Sequence, residues 1–353
     1  MEKQKEQAER EQKQKQGGKW KEKQPALFEI RTDLAVEEQE SFPGDGGEIT
    51  GVSLKEWCCG SGRIRLTEVR ILDSHGEKAM GKPKGRYITL EAGQMTASDE
   101  AYQEEVAGEL SVQLKTMIEA FRENGMIPQN KKLHVLVVGL GNQLVTPDAL
   151  GPGVLGNLRV TRHLQYQYGE EFCRKHKLPL ISGIAPGVMA QTGMETAEIL
   201  RGIIEETSPD LLIAIDALAA RSIRRLGTTI QLTDTGIHPG SGVGNHRHSL
   251  TIESMGVPVI AIGVPTVVGA AAIVHDTVSA LIQALGSHSH TKAAARMVEQ
   301  MNPDEQYQLI SELLEPEFGS LYVTPPDIDQ TIKNLSFTIS EGIHQTFFEA
   351  PVI

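Results

Sequence analysis

Three near-continuous apolar runs constrain the fold of this chain more than any other feature of its sequence. They cover residues 133–138, 210–216 and 257–262. Strands that are apolar on both faces are typical of a sheet covered by helices on both sides. Between and after these runs, apolar residues recur at helical spacing. The sequence therefore predicts an α/β fold with a mostly parallel sheet flanked by helices on both faces and further strands at 178–184 and 229–233. Helical patterns at 303–314 and 327–347 predict a C-terminal region of helices at about 300–350.

A smaller β-rich subdomain is predicted at about 49–92, before the core α/β unit at about 104–290. Residues 64–72 largely alternate apolar with polar side chains, which is the period of a half-buried strand. Residues 76–85 supply turn residues, and a second strand pattern returns at 86–90. A helix should follow, because these apolar residues recur at spacings of three and four: Val106, Leu110, Leu114, Met117, Ile118 and Phe121.

Charge and composition exclude several classes of function. The chain has 353 residues and a formal net charge of −12, which argues against a protein that binds nucleic acid by neutralising phosphates. Its three cysteines cannot form a disulfide framework, so the chain is interpreted as cytoplasmic. Residues 256–274 carry no charge but contain five Gly and Pro residues, which favours a strand, a loop and a helix start over a membrane span. Residues 1–24 are rich in Lys, Gln and Glu and predict a disordered leader.

Two aspartates follow or end the buried strands. Asp148 lies in a loop beyond the run 133–138, and Asp216 ends the run 210–216. The carboxyl ends of parallel strands converge on one crevice, which is the usual ligand site of such a sheet. Two carboxylates that meet there offer a base to activate water and an acid to protonate a leaving amine, or they form a metal site. The alternative, which the residues alone leave open, is that Asp148 caps a helix and Asp216 bonds a turn.

A long loop at 233–245 has the composition of a functional loop. It contains four glycines, one proline and no periodicity. His238 is the candidate for a third active-site group or a metal ligand, with a surface histidine as the alternative. Glycines allow the backbone to approach a peptide closely, so the loop is predicted to contact substrate through Gly240, Ser241, Gly242 and Asn245.

Other catalytic patterns are incomplete or missing. The run beginning at Gly139 has Leu144 where a dinucleotide-binding motif would have its third glycine. The sequence contains neither a Gly-x-Ser-x-Gly elbow nor a His-Glu-x-x-His zinc helix. The adjacent Cys58 and Cys59 lie outside the predicted α/β core. We therefore expect no cofactor and no bound metal.

Four motifs, taken in order, closely resemble the germination protease family of endospore-forming bacteria. They span residues 31–37, 139–152, 215–221 and 234–245. The resemblance implies a cytoplasmic endopeptidase of the spore core that degrades small acid-soluble spore proteins, is made as an inactive zymogen and assembles as a homotetramer. It implies no membrane association and no direct binding of nucleic acid. The family's core is similar to that of hydrogenase-maturation proteases, and its two proposed catalytic aspartates correspond to Asp148 and Asp216.

The resemblance also places a processing site in this chain. The family cleaves after an acidic residue and before a bulky apolar one that Ala follows, and residues 33–37 have that form. The cut then falls between Asp33 and Leu34, with 1–33 as propeptide and 34–353 as peptidase. The purely structural alternative is that residues 34–36 form the first strand. Two other functions stay open: a metal-dependent maturation-type protease, and a non-catalytic module that binds a dinucleotide or a peptide.

Overall fold

The structure is a computed structural model of the chain. It describes residues 32–40, 49–60, 62–93, 95, 99–129, 132–238, 248–286, 309–310, 312–314 and 321–348. Most of the predicted leader, the predicted substrate loop at Gly240–Asn245 and most of the predicted helix at 303–314 lie outside the described residues.

Within that part of the chain, nine strands form one sheet. They are β1 (Val52–Cys59), β2 (Ile64–Ile71), β3 (Gly85–Glu91), β4 (His134–Gly139), β5 (Leu180–Ile184), β6 (Leu211–Ala220), β7 (Thr229–Thr233), β8 (Val259–Gly269) and β9 (Tyr322–Val323).

The sheet is mixed, which corrects the prediction of a mostly parallel one. The spatial order is β1-β2-β3-β7-β8-β6-β4-β5, with β9 beside β8. Only β8, β6, β4 and β5 pair in parallel, and every other pairing is antiparallel. The prediction failed because an apolar run reports burial on both faces and not strand direction. Strand β7 is buried throughout and still runs antiparallel to both neighbours.

The helices are α1 (Ala35–Glu40), α2 (Ser74–Met80), α3 (Glu100–Glu123), α4 (Leu150–Asn157), α5 (Arg162–Tyr168), α6 (Glu170–Lys175), α7 (Met189–Thr192), α8 (Thr196–Thr207), α9 (Ile252–Met255), α10 (Ala270–Gly286) and α11 (Ile328–Phe347). Two 3₁₀ turns cover Thr146–Asp148 and Ile223–Arg225.

Helices cover both faces of the sheet, so the predicted α/β class is confirmed. On one face, α3, α4 and α11 bury their apolar sides against strand residues such as Val137 and Ile213. On the other face, Leu34, Leu200 and Leu250 pack against the alternate residues of the same strands, including Leu136 and Leu212. At about 25 cal/mol per Å² of buried apolar area, these two layers are the main source of stability. They also fix which face each polar strand residue points to.

The predicted turn at 76–85 is partly wrong, because a short helix occupies its first half. Asp73 caps α2 by accepting the backbone N–H groups of His75 (2.9 Å) and Gly76 (3.0 Å). Strands β1 to β3 pair as antiparallel neighbours and continue the main sheet through β7. The turn between α2 and β3 brings Lys82 to the sheet edge at which the candidate site lies.

In the described residues, no helix is both long and apolar enough to cross a membrane.

Candidate active site

Asp216 lies in the middle of the parallel part of the sheet. It is only 6% exposed, and its Oδ1 accepts the backbone N–H of Ala217 at 2.9 Å. Alternation along β6 sends Ile213 and Ile215 to one core layer and Leu212 to the other. Asp216 therefore points to the face that also holds Leu34. Its neighbour on β8 is Gly263, which has no side chain.

Asp148 ends the 3₁₀ turn that follows β4. Its Oδ2 accepts the backbone N–H of Asn142 at 2.8 Å, and its own N–H donates to Val145 O at 2.8 Å. Gly141 has φ of +109°, and a Cβ there would lie 2.0 Å from the Asp148 carbonyl oxygen. The turn can therefore approach the end of β4 only because residue 141 is glycine.

One backbone hydrogen bond joins the two aspartate-bearing segments. Leu140 N–H donates to Ile215 O at 2.8 Å, so the loop that Asp148 holds lies against the strand position next to Asp216. This matches the arrangement expected at the carboxyl ends of parallel strands. The catalytic role of the pair stays a prediction. Among the described residues, no group of three or more His, Cys, Asp or Glu has the geometry to hold a metal ion.

The predicted processing segment is built into the fold. Asp33 and Ala219 exchange two hydrogen bonds: Asp33 N–H to Ala219 O at 3.3 Å, and Ala219 N–H to Asp33 Oδ2 at 3.0 Å. Leu34 is fully buried in the core layer. Helix α1 begins at Ala35, so the alternative prediction that residues 34–36 form a first strand is wrong. The peptide bond between Asp33 and Leu34 is thus fixed within the structure.

Two side chains, one from the turn before β3 and one from strand β7, reach the Asp33 carbonyl. Gln231 Nε2 donates to this oxygen at 3.0 Å, while its Oε1 accepts Ala35 N–H at 2.7 Å. Lys82 Nζ donates to the same oxygen at 3.2 Å and to Thr32 O at 3.4 Å. Burial lowers the pKa of the Lys82 ammonium, and the carboxylates of Asp33, Glu38 and Glu37 oppose that shift.

Glu37 anchors α1 to the end of β6. It is 3% exposed and accepts backbone N–H groups from Arg221 (2.8 Å) and Ser222 (3.1 Å) and the hydroxyl of Thr32. Arg225 Nε lies 3.5 Å from the same carboxylate. Burial raises the pKa of Glu37, and these hydrogen bonds and the arginine act against that rise.

His238 lies with the processing segment. Burial is the main cause that lowers its pKa, the Lys82 ammonium lowers it further, and the Asp33 carboxylate acts in the opposite direction. His238 keeps part of its surface exposed, and among the described residues the charges of Lys82 and Asp33 act on it. Its role as a third active-site group stays a prediction.

A wide cleft lies at the other end of the parallel strands. It has a volume of about 1270 Å³ and is lined by residues at the starts of β4 and β5, such as His134 and Leu180. Neither Asp148 nor Asp216 lines it. Because ligands of such sheets bind at the carboxyl ends of the strands, cavity size is a poor guide to the site here.

Sequence reasoning missed three residues of this region. Lys82 lies in a turn rich in Gly, Pro and Lys, where a lysine is ordinarily a surface residue. Arg225, which pairs with Glu40 and Glu91 at 2.6 and 2.7 Å, gave no signal either. Gln231 did give one, because it is an amide between two apolar residues of the buried strand β7, and a buried amide requires partners.

Comparison with known proteins identifies the family. The family model for germination protease matches residues 28–296. A germination protease from Caldanaerobacter subterraneus subsp. tengcongensis is 49% identical over 320 residues, which cover 89% of this chain and 93% of that protein. Those from Clostridium tetani and Bacillus subtilis are 42% and 40% identical, and the matches cover 89% and 91% of this chain and 94% of each relative.

Among solved structures, the [NiFe] hydrogenase maturation protease HycI from Thermococcus kodakarensis is a distant neighbour. It is 21% identical, with a TM-score of 0.23, over 39% of this chain and 76% of its own. A likeness this low carries no argument about the present chain. The family model and the long relatives suffice, and this chain belongs to the germination protease family.

Proposed function

We propose that this chain is an endopeptidase in which Asp148 and Asp216 activate a water molecule for attack on a peptide bond. The observation that carries the proposal is the link between the two aspartate segments. Leu140 of the Asp148 loop bonds to Ile215, the residue before Asp216, at the carboxyl ends of the parallel strands. One carboxylate acts as the base that removes a proton from water. The other, protonated, supplies a proton to the leaving amine.

The buried position of Asp216 supports this division of labour. The proposed mechanism needs one of the two carboxyl groups to keep its proton, which repulsion between two adjacent carboxylates favours. Asp148 accepts a backbone N–H from Asn142, and Asp216 accepts one from Ala217. These bonds orient both carboxylates.

The proposed substrates are small acid-soluble spore proteins, cut during germination, as membership of the family implies. The proposed state before germination is a zymogen in the spore core, assembled as a homotetramer. The contacts that fix residues 32–37 support the proposal that the uncut chain is held in one conformation before processing. Leu34 and Glu37 are buried, and Asp33 is bonded to β6 through both its backbone and its side chain.

The test is turnover of a purified small acid-soluble spore protein by the active enzyme and its variants. Asp148→Asn and Asp216→Asn should each lower kcat/KM by about 10² to 10⁴, the usual contribution of general acid–base catalysis. Asp329→Asn, on the exposed first turn of α11, is the matched control and should leave the rate unchanged. Full activity in either site variant would refute the two-aspartate mechanism.

A further inference from the structure

Beyond the aspartate pair, the structure assigns two further catalytic residues for self-processing: Lys82 and Gln231 as the donors that stabilise the oxyanion formed on the Asp33 carbonyl. This inference rests on the proposed self-cleavage between Asp33 and Leu34. Asp148 and Asp216 are proposed to transfer protons to and from water and the leaving amine, and Lys82 and Gln231 would stabilise the negative charge on the carbonyl oxygen.

The geometry singles out this carbonyl. Gln231 Nε2 lies 3.0 Å from the Asp33 oxygen and Lys82 Nζ lies 3.2 Å from it. In an oxyanion hole the donors lie about 2.7–3.1 Å from the position that the oxyanion will occupy, and here both donors already contact the carbonyl oxygen from which that anion forms. The two donors come from separate parts of the chain, the turn before β3 and the strand β7. They meet at the carbonyl of the one bond that the sequence motif marks for cleavage.

An ammonium group is more than a carbonyl needs. A single neutral N–H satisfies a peptide oxygen, whereas moving an ammonium out of water has a cost. Hydrogen bonds from a charged donor are roughly twice as strong as neutral ones, and they strengthen further when the acceptor becomes an anion. Lys82 therefore favours the tetrahedral intermediate over the ground state, which is the requirement for a catalytic contact.

Neighbouring contacts hold the rest of the bond in place. Gln231 Oε1 accepts the N–H of Ala35, two residues beyond the carbonyl, so one side-chain amide spans the bond to be cut. The nitrogen of Leu34, which becomes the leaving amine, donates to Thr32 Oγ1 at 3.1 Å. Asp33 is fixed on β6 through Ala219. The substrate bond is thus oriented on its carbonyl side and on its amine side.

Self-processing is the hydrolysis of the peptide bond between Asp33 and Leu34 by one water molecule. A water oxygen bonds to the Asp33 carbonyl carbon, its proton passes to the ionised carboxylate of the aspartate pair, and the carbonyl electron pair moves to oxygen. That oxyanion receives the N–H groups of Lys82 and Gln231. The electron pair then returns, the bond to Leu34 nitrogen breaks, and that nitrogen takes a proton from the protonated aspartic acid. The products are a new α-carboxylic acid at Asp33 and a new α-amine at Leu34, and the acid passes its proton to the amine to give a carboxylate and an ammonium group.

The experiment follows self-processing of the purified full-length chain by intact mass, with the rate of appearance of the Leu34 terminus as the readout. Lys82→Met and Gln231→Glu should each slow the cut by about 10² to 10³, the loss typical of one oxyanion donor. Gln231→Glu keeps an acceptor for Ala35 N–H, removes the donor and adds a negative charge beside the Asp33 oxygen, and both of the last two changes oppose the oxyanion. Lys82→Arg, which keeps a cationic donor, should recover part of the rate. Lys78→Met, an exposed lysine on α2, is the matched control and should process at the wild-type rate.

The outcomes separate this inference from the proposal beneath it. If the wild type is cut between Asp33 and Leu34 while Lys82→Met and Gln231→Glu are cut equally fast or faster, the two residues only restrain the segment and the oxyanion assignment is wrong. If the wild type is not cut there, self-processing itself fails and the assignment falls with it. Thermal midpoints and hydrogen exchange at Ala35 identify a misfolded variant. The assignment is supported if cleavage is slow in Lys82→Met, recovers in Lys82→Arg, and the thermal midpoints of both variants are unchanged.

Discussion

Replacing Glu37 by alanine should loosen the N-terminal segment far more than replacing Glu40, although both carboxylates lie on α1 and face Arg225. Glu37 is buried and accepts two backbone N–H groups at 2.8 and 3.1 Å. Glu40 is exposed and makes one ion pair with Arg225 at 2.6 Å. The two variants therefore remove the same charge from very different surroundings.

The magnitude for Glu37→Ala follows from the groups that it leaves behind. Each buried N–H without an acceptor costs about 1–3 kcal/mol, and breaking a buried ion pair costs about 3–5 kcal/mol. These contributions overlap, and Arg225 keeps Glu40 and Glu91 as partners. Burial also raises the pKa of Glu37, so removing its charge returns part of the cost. A net loss of about 3 kcal/mol corresponds to a roughly 10²-fold rise in opening of the segment, since about 1.4 kcal/mol is tenfold.

The assay is native-state hydrogen exchange at the Ala35 amide, which donates to Gln231 Oε1 at 2.7 Å. Protection should fall by about 10² in Glu37→Ala. It should fall less than about fivefold in Glu40→Ala, because exposed ion pairs contribute about 0–1 kcal/mol. Equal protection in the two variants would refute the claim that the buried carboxylate fixes this segment.

Three further predictions concern the site. Gly141→Ala should abolish activity, because a Cβ there lies 2.0 Å from the Asp148 carbonyl oxygen. The control Gly156→Ala, whose Cβ meets nothing within 4 Å, should be fully active. Measurement of kcat/KM for both variants checks this prediction. Peptidase activity should survive prolonged EDTA treatment; loss of turnover with rescue by one divalent ion would instead implicate metal chemistry. The pKa of His238 in the folded state lies below its ordinary value of 6.5, so its contribution to stability is present above pH 6.5 and is lost as the pH falls through the folded pKa. The urea midpoint of the wild type should therefore drop relative to that of His238→Gln between pH 7 and pH 5. Parallel curves of midpoint against pH for the two proteins would contradict this.

Much of the secondary structure could be predicted because burial leaves a periodic record in the sequence. The helix predicted around Leu110 is α3, the run 229–233 is β7, and the pattern at 327–347 is α11. Strand direction left no such record. The antiparallel course of β7 is set by its partners β3 and β8, which are distant in sequence. The short helix α2 was missed because its first turn is stabilised by the Asp73 cap rather than by apolar periodicity.

The site also contains residues that the sequence could predict and residues that it could not. Asp148 and Asp216 could be nominated because strand ends have a known functional position. Lys82 could not, because its ammonium matters only through a carbonyl 49 residues earlier in the chain. Contacts at such separations depend on the completed topology, and a single sequence does not encode them as a local pattern.

The central claim is that this chain cuts itself between Asp33 and Leu34 with the Asp148 and Asp216 pair. The most direct measurement is the intact mass of purified full-length protein, wild type and Asp216→Asn, incubated side by side under conditions in which the wild type is processed. We expect a wild-type product that begins at Leu34 and an Asp216→Asn chain that keeps residues 1–33. An Asp216→Asn chain trimmed to Leu34 at the wild-type rate in a pure preparation would contradict it.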